Sequence, residues 1–405
     1  MAHQERCQQQ RDQHREKDPQ QVGSGLYVYA TLSSFNRDIP TLALPFLGEP
    51  ARSAQRAQDA LAHLHQGTSL KGRCLIWNPD AMATNGHNRI SVALCTYNGE
   101  RFLPQQLASM ANQTRPPDEV IVCDDRSSDR TIGIIREFAA SATYPVKIFE
   151  NESNLGSAAN FERAIRLCEG NLIALSDQDD IWYPIRLQRS EQELTAHPEA
   201  GLVFSDADVI NDENELTGAT IWERLGFAGK WERDLLAGQY FLLAKHRFVT
   251  GATVMFRASL RDRILPIGLG WIHDEWIALI TAAFSDLRPI HQPLIRYRIH
   301  GSQQVGFQNK LEQRTQGTRA QRHWGRLAES VKDLQLACAA LSGMILDNRR
   351  EVLPAYQEHL QFLSFRANLP DPRLARLGPI LTRISQYRVH SSGLASALKD
   401  LALKR

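Results

Sequence analysis

A chain of 405 residues has room for two or three domains, and its 42% hydrophobic and 23% charged residues are typical of a globular protein. The formal net charge of +2 excludes the large basic excess of nucleic-acid-binding proteins, so we expect no nucleic-acid partner. No apolar run reaches the length needed to span a bilayer. The six cysteines lack C-x-x-C spacing. Cys95, Cys123 and Cys168 lie within apolar segments, which predicts small buried side chains and a reducing cytoplasm.

The first 88 residues show no sustained hydrophobic period. Residues 1–21 are polar and rich in Gln, Arg and His, which predicts disorder rather than a secretory signal, because an apolar segment is missing. Residues 22–88 hold scattered apolar side chains, and only 51–65 has the pattern of a helix. We therefore predict that 1–88 is a low-complexity, weakly ordered N-terminal extension. It is either an added reading-frame extension or a genuine N-terminal segment.

From residue 89 onward, short apolar runs alternate with stretches of helical period. The runs predict strands at 90–95, 120–123, 146–149, 172–175, 201–206, 248–256 and 294–299. The helical stretches lie at 103–110, 132–138, 161–168, 184–198 and 272–284. Ser127 or Ser128 is predicted to cap the second of these helices. Strands joined by crossover helices predict a parallel sheet covered on both faces, and the pattern after residue 307 is helical.

The strongest functional signal follows the predicted strand 172–175. Three carboxylates, Asp177, Asp179 and Asp180, come directly after this apolar run. Because open α/β sheets bind ligands at the carboxyl ends of their strands, these acids are predicted to line a ligand site. The D-x-D spacing of Asp177 and Asp179 suits a hard divalent cation, Mg²⁺ or Mn²⁺, which takes oxygen ligands. A solvated acidic turn is the alternative.

Five motifs, in this order along the chain, together resemble the inverting glycosyltransferases of family 2. They are SVALCTYNG (91–99), EVIVCDDRSSD (119–129), NLG (154–156), SDQDD (176–180) and HD (273–274). The forms SDQDDIW, HDEW (273–276) and YRIHG (297–301) further resemble the bacterial rhamnosyltransferase-like branch, which builds surface polysaccharide. Two positions depart from the family pattern. Arg126 stands where the family usually has Gly, and Ile299 replaces the usual polar residue before His300.

The resemblance implies a fold and an activity. The fold is α/β, a GT-A type nucleotide-binding fold with a mostly parallel central sheet flanked by helices. It would occupy 89–306, with a helical C-terminal region at 307–405. The activity would be inverting hexosyl transfer, with rhamnose as one candidate sugar, from a nucleotide-diphosphate sugar to a growing surface glycan or a lipid-linked acceptor.

The resemblance also implies roles for individual residues. Asp179 and His300 would hold the divalent metal, and Asp274 would take the proton of the acceptor hydroxyl. The alternatives are that Asp274 or Glu275 only caps a helix and that His300 is structural. The donor nucleotide would contact Thr96, Tyr97, Asn98, Asp125, Asn154 and Asp177. The resemblance assigns no role to Lys147, Arg163 and Arg186, for which surface salt bridges are the default interpretation.

Two other classes of protein are weighed against this assignment. A nucleotidyltransferase should have a Gly-rich loop with basic residues after its first strand, and residues 96–100 lack one. A non-catalytic nucleotide-sugar-binding module would keep the sheet and lose its acids, yet Asp125, Asp179 and Asp274 are all present.

The last forty residues, 366–405, carry eight Lys or Arg against two Asp. Such a segment can make peripheral contact with the anionic inner face of the cytoplasmic membrane. A solvated helical face is the alternative.

The N-terminal extension generates the first testable prediction. A chain that begins at Met82 should fold and keep its activity, because the regular alternation of strands and helices starts only at residue 89. Circular dichroism and a sugar-transfer assay would compare it with the full chain. Insoluble or inactive protein would show that the segment is a genuine domain.

Overall fold

The computed structural model describes residues 88–227, 229–237, 243, 248–301, 303, 318–344 and 352–404. All of these residues belong to one structural unit, Cys74–Arg405. The predictions made for residues 1–87, including the helix at 51–65, lie outside the described residues.

A central sheet has the strand order β3-β2-β1-β4-β8-β6-β9-β5, with β7 paired to β6. The strands are β1 (Ile90–Thr96), β2 (Glu119–Asp124), β3 (Val146–Glu150), β4 (Leu172–Ser176), β5 (Ile181–Trp182), β6 (Ala200–Ile210), β7 (Leu216–Thr220), β8 (Met255–Arg257) and β9 (Asp286–Arg298). The long pairings β1–β2, β1–β4, β2–β3 and β6–β9 are parallel, whereas the short pairings that involve β5, β7 and β8 are antiparallel. This arrangement confirms the predicted α/β class with a mostly parallel sheet.

Helices join and cover the strands. The α-helices of the described residues are α1 (Leu103–Ala111), α2 (Thr131–Ser141), α3 (Ser157–Leu167), α4 (Arg186–Ala196), α5 (Ile221–Leu225), α6 (Lys230–Leu236), α7 (Arg261–Ile264), α8 (His273–Ala282), α9 (Arg319–Ser342), α10 (Val352–Ala367), α11 (Leu377–Thr382), α12 (Ile384–His390) and α13 (Leu394–Ala402). Short 3₁₀ turns lie at Gly251–Thr253, Ala258–Leu260 and Arg373–Arg376.

The strands β1, β2 and β4 form the centre of the core, and every residue in them is buried. Their sequences are largely apolar because a parallel sheet of this kind is covered on both faces. Helix α3 packs on β1 and β2, and α2 packs on β3. In α1, Leu103, Leu107 and Met110 are all buried, which confirms the predicted apolar face.

Predicted and observed strands differ in two ways. Within the strand predicted at 248–256, residues Gly251–Thr253 form a 3₁₀ turn, and the observed strand is only Met255–Arg257. The turn packs against α8, since a Cβ atom on Gly251 would lie 2.8 Å from Nε2 of His273. This contact joins residues far apart in sequence, so the local alternation could not indicate it.

The other difference is length. Strand β9 begins at Asp286 rather than 294, and β6 continues through Asp206 and Asp208 to Ile210 instead of ending in acid. Pro289 hides the start of β9 from a pattern analysis because a proline cannot donate a ladder hydrogen bond. In the parallel β6–β9 pairing, Pro289 lies opposite Phe204, and register shifts follow at Asp206, which lies opposite Pro293.

The predicted serine cap of α2 is wrong. The helix begins after Arg130, which makes no side-chain cap hydrogen bond. The Ser127 hydroxyl donates instead to Oδ2 of Asp124 (2.6 Å) and accepts from the backbone N–H of Asn98 (2.8 Å). Tertiary contacts between the loops after β1 and β2 therefore take this side chain away from the helix.

The C-terminal region is helical, as predicted. On α9 the buried residues are Leu327, Leu334, Ala337, Cys338 and Leu341, which lie on one helical face. Helix α10 packs along α9, with Tyr356 and Leu363 buried. Among the described helices, none combines the length and apolar content needed to cross a membrane.

A buried carboxylate organises these C-terminal helices. Asp400 of α13 is fully buried and accepts two hydrogen bonds from the Arg366 guanidinium, at 2.7 and 3.0 Å. It also accepts from the Tyr387 hydroxyl (2.6 Å) and contacts Nε2 of His323 (2.7 Å). Burial alone would raise the pKa of Asp400, but the hydrogen bonds from these partners and the Arg366 charge lower it to about 2. One carboxylate thus joins α9, α10, α12 and α13.

Replacing Asp400 by Ala should lower the free energy of unfolding by about 3–5 kcal/mol, because Arg366 would stay buried without its counter-charge. In the native protein, the stabilisation from the lowered pKa of Asp400 is present above about pH 4 and is lost as the pH falls towards 2. Urea-induced unfolding followed by tryptophan fluorescence measures both effects.

The matched control is Asp371→Ala, since this aspartate in the same region is exposed. Its unfolding midpoint should equal that of the wild type. Equal midpoints for the Asp400 and Asp371 variants would contradict the role assigned to the buried network.

Candidate active site

The site lies where the strand order reverses. From β1 the chain proceeds to β2 and β3 on one side, whereas β4 pairs with the other side of β1. Open α/β sheets bind ligands at such a switch point, outside the carboxyl ends of the strands. The loops after β1 and β4 are joined there, because the Gln178 side chain accepts from the Tyr97 N–H (2.8 Å) and donates to the Tyr97 carbonyl (3.0 Å).

The acidic cluster follows β4 directly. Oδ2 of Asp179 lies 2.9 Å from Nε2 of His300, so the structure brings together the two predicted metal ligands from opposite ends of the domain. Asp180 is buried, and its Oδ1 accepts from the backbone N–H of Arg298 (3.0 Å). Its Oδ2 has no hydrogen-bond partner among the described residues.

The carboxylates influence one another strongly. Enclosure by protein atoms raises the pKa of Asp177 to about 8, and the negative charges of Asp179 and Asp274 add to this rise. Burial, followed by the charges of Asp179 and Asp177, raises the pKa of Asp180 well above its usual range. The Tyr297 hydroxyl, which the sequence analysis did not select, also has a raised pKa, first from burial and then from these acids. These side chains therefore surround one negatively charged site.

Arg298 supplies positive charge beside the acids. Its Nε donates to the Asp179 carbonyl (2.7 Å) and its Nη2 donates to Oε1 of Gln105 on α1 (2.8 Å). The guanidinium also lies 4.5 Å from the centre of the Phe102 ring. Burial lowers the pKa of Arg298, and the charges of Asp180 and Asp179 oppose that effect. This residue ties the end of β9 to the acidic loop.

Arg186 is a second internal cation, and its assignment to a surface salt bridge is wrong. The side chain is buried, 3.7 Å from the centre of the Trp182 ring, and Nη2 donates to the carbonyls of Leu175 (2.9 Å) and Ala252 (2.6 Å). Burial lowers the pKa of Arg186 to about 9, while Asp180 and Asp177 oppose this change. The sequence contained a sign that Arg186 is unusual. An arginine at the first residue of a helix lies at the end of the helix dipole that disfavours positive charge.

The end of β1 and the loop after it hold three of the predicted nucleotide contacts. Thr96 is buried and donates to Oδ2 of Asp124 (2.7 Å). Tyr97 is 37% exposed, so its ring is not part of the core. Asn98 has a positive φ of 47°, and its Oδ1 accepts from the backbone N–H of Ser128 (2.8 Å). The loops after β1 and β2 are thus linked by hydrogen bonds, with the Tyr97 ring left accessible.

Asp125 organises the loop that follows β3. Its carboxylate accepts from the backbone N–H groups of Leu155 (2.7 Å) and Gly156 (2.8 Å) and from Nδ2 of Asn151 (2.8 Å). The exposed Asn154 donates to the Asp125 carbonyl (3.3 Å). Both oxygens of Asp125 therefore already have partners within the protein. A contact between Asp125 or Asn154 and a nucleotide base stays a prediction.

The departure at Arg126 has a conformational basis. Its φ is 67°, in the left-handed region that glycine adopts readily and other residues adopt at a cost of roughly 1–2 kcal/mol. The glycine that is usual in the family would suit this geometry. In this chain the turn forms with arginine, and the Asp124 carboxylate accepts a hydrogen bond from the backbone N–H of Ser127, the residue after Arg126 (2.7 Å).

Asp274 lies in the first turn of α8. Its Oδ2 accepts from the Gly251 N–H (3.0 Å) and its Oδ1 accepts from the Glu275 N–H (2.7 Å). These contacts hold the carboxylate near Asp177 and are compatible with either a capping role or a catalytic one.

His273 precedes Asp274 and packs in the interior. Its ring stacks on Phe161 with 3.9 Å between the ring centres. Burial lowers the pKa of His273, and the charge of Asp274 only partly offsets this. The imidazole is therefore a packing group behind the carboxylate.

The acidic cluster can accommodate a divalent cation, although no group of three or more His, Cys, Asp or Glu side chains in the described parts of the chain is arranged as a complete metal site. Asp179 and His300 offer one oxygen and one nitrogen close together. The buried Oδ2 of Asp180 lacks a partner among the described residues, and burial followed by neighbouring negative charge raises the pKa of Asp177. A cation would relieve this repulsion and take its other ligands from substrate oxygens and water.

Comparisons with known proteins agree with this geometry. Residues 91–265 match the model of glycosyl transferase family 2. An uncharacterized protein of Mycobacterium tuberculosis is 29% identical over 217 residues, which cover 52% of this chain and 59% of that protein. The Escherichia coli UDP-Glc:alpha-D-GlcNAc-diphosphoundecaprenol beta-1,3-glucosyltransferase WfgD is 30% identical over 129 residues, 32% of this chain and 49% of that protein. The chain thus spans less than two thirds of these relatives.

A solved structure is similar over much of the chain. It is the mannosyltransferase PcManGT from Pyrobaculum calidifontis in complex with GDP-Man and Mn²⁺, with a TM-score of 0.42 and 20% identity, covering 87% of this chain and 94% of that one. The family match and the observed sheet confirm the predicted GT-A type fold, while the rhamnosyltransferase-like branch stays a prediction. Over residues 91–265, the chain is thus similar to glycosyl transferase family 2.

Proposed function

We propose that this protein transfers a sugar from a nucleotide-diphosphate sugar to a glycan or a lipid-linked acceptor, with inversion at the anomeric carbon. The observation that carries the proposal is the convergence of Asp177, Asp179, His300 and Asp274 at the switch point of a family 2 domain. This arrangement offers acids for a metal-bound diphosphate and a separate carboxylate for the acceptor.

The donor would bind across the loops after β1, β2 and β4. Thr96, Tyr97 and Asn98 lie at the end of β1, and the accessible Tyr97 ring can pack on the base. Asp179 and His300 would hold Mg²⁺ or Mn²⁺, with Asp177 in supporting contact. When bound, such a cation supplies positive charge that stabilises the negative charge developing on the departing diphosphate.

The acceptor would meet Asp274. Inverting transfer is a single displacement, so the attacking hydroxyl must lose its proton on the face opposite the leaving group. Asp274 can take this proton because the Gly251 and Glu275 N–H groups hold its carboxylate in one orientation. Its negative charge also acts on Asp177, so the two carboxylates lie close enough to interact.

The proposal also concerns the identity of the acceptor and of the sugar. The E. coli relative is named for the transfer of glucose from UDP-Glc to a diphosphoundecaprenol-linked sugar, which supports a lipid-linked acceptor here. A protein that uses such an acceptor would work at the membrane surface of the cytoplasm. Rhamnose remains one candidate sugar, and a panel of nucleotide sugars assayed with and without Mn²⁺ tests the function and identifies the donor.

Removing the metal ligand tests the donor side. Asp179→Asn should reduce sugar transfer about 10²–10³-fold, because a charge that stabilises the leaving group would be held less firmly. A chelator should inactivate the wild type reversibly. The exposed Asp262 supplies the matched control, and Asp262→Asn should transfer at the wild-type rate. Full activity in excess chelator would rule out the metal-assisted mechanism.

Removing the base tests the acceptor side. Asp274→Asn should leave donor affinity, measured by calorimetry, nearly unchanged while transfer falls about 10²–10⁴-fold, the usual contribution of a positioned base. Glu275→Gln should have a much smaller effect.

The amide of Asn can accept only one of the two N–H hydrogen bonds that Asp274 accepts. Thermal unfolding must therefore show that the variant is folded. A folded Asp274→Asn protein that binds donor and transfers sugar at the wild-type rate would exclude Asp274 as the base.

A further inference from the structure

The helical C-terminal region exposes an unusual number of large aliphatic side chains. Leu374 is 88% exposed, Leu398 63%, and Leu381 and Leu394 59% each. Leu377 belongs to the same set, with 44% exposure. We call these five residues the C-terminal apolar surface. Contiguous exposed apolar groups on a folded protein usually mark an interaction site.

The spacing of these residues places them in two stripes. Leu374, Leu377 and Leu381 are three and four residues apart along the 3₁₀ turn and α11, and Leu394 and Leu398 are four apart on α13. Side chains at such spacings share one helical face. Each segment therefore presents leucines outward, where a helix on a solvated surface would carry polar residues.

The two stripes lie on neighbouring segments. Arg376, from the 3₁₀ turn, is buried and donates to the backbone carbonyls of Asp400 and Leu403, both at 2.7 Å. These bonds fasten α11 and its preceding turn to the end of α13. Helix α13 buries its opposite face through Ser396, Ala397 and Asp400. The two leucine-bearing segments are thus joined to each other by hydrogen bonds.

The exposed charges of this segment are mostly positive. Arg366 and Arg376 are buried and bond to partners inside the protein. The exposed cations among the described residues of 366–404 are Arg373, Arg383, Arg388, Lys399 and Lys404. Of the two aspartates there, Asp400 is buried and only Asp371 is exposed. The segments that carry the leucine stripes therefore expose five cations and one anion.

We propose that the C-terminal apolar surface binds an anionic phospholipid bilayer, with α11 and α13 lying in the plane of its interface. The leucines would enter the boundary between headgroups and acyl chains, and the surrounding cations would face anionic headgroups. A second copy of this chain fits less well, because a two-fold symmetric contact would place the same positive charges opposite one another.

The inference deepens the proposed function, because a lipid-linked acceptor would lie in the same bilayer. Binding to lipid does not depend on sugar transfer, however. The two ideas can therefore fail separately, and the experiment below measures them separately.

Co-sedimentation of the full chain with vesicles tests the proposal. The protein should bind phosphatidylglycerol-containing vesicles about tenfold or more tightly than pure phosphatidylcholine vesicles, and added salt should weaken this binding. Leu381→Ser with Leu398→Ser should reduce the affinity about tenfold, since apolar contact is lost. Arg388→Gln with Lys399→Gln should remove the preference for the anionic vesicles.

The matched control uses two exposed leucines that lie outside the C-terminal helices. Leu216→Ser with Leu269→Ser removes side chains that are 60% and 86% exposed, and it should leave vesicle binding unchanged. Thermal unfolding checks that every variant is folded. Transfer to a water-soluble acceptor, if the wild type performs it, should survive both C-terminal double substitutions.

Three results would overturn the inference. The first is equal binding of the wild type to both kinds of vesicle. The second is equal vesicle binding by the C-terminal leucine variant and the control leucine variant. The third is a wild-type dimer that becomes a monomer in the C-terminal leucine variant, while none of the proteins binds vesicles. The last result would assign the surface to a second copy. Absence of sugar transfer with every donor would contradict the proposed function and leave the vesicle result standing.

Discussion

The burial of carboxylates after β4 is the constraint on which the site depends. A buried ionised carboxylate is costly unless it is paired or hydrogen-bonded. Asp180 is buried with only one oxygen bonded, and Asp177 has its pKa raised to about 8. Arg186 on one side and Arg298 on the other supply the internal positive charge that such a cluster requires. The acids can therefore remain concentrated where a cation and a diphosphate would bind.

Those two arginines also explain why distant elements meet at the site. Arg186 bridges the carbonyls of Leu175 and Ala252, which joins the end of β4 to the turn that precedes β8. Arg298 connects the acidic loop to α1 and ends the long pairing of β9 with β6. That pairing carries His300 to Asp179 across 121 positions of sequence. The contacts that compensate the negative charge therefore also bring the parts of the site together.

A second buried charge cluster has a different consequence in the C-terminal region. Asp400 and Arg366 pair inside, and Arg376 is used to fasten backbone segments. Because these polar contacts hold the helices together from within, the leucines of α11 and α13 are not needed for the core and can face outward. The basic segment noted in the sequence is therefore divided into internal structural arginines and a set of exposed cations.

Local patterns in the sequence were sufficient for β1, β2, β4 and the position of the acids, because a strand covered on both faces must be apolar throughout and its end is marked by charge. The family motifs also placed Asp179 and His300 together. Only the tertiary structure decided that Arg186 is buried, that residues 251–253 form a turn against α8, and that Asp125 bonds the loop after β3. Each of these depends on contacts between residues far apart in the chain, which no local pattern records.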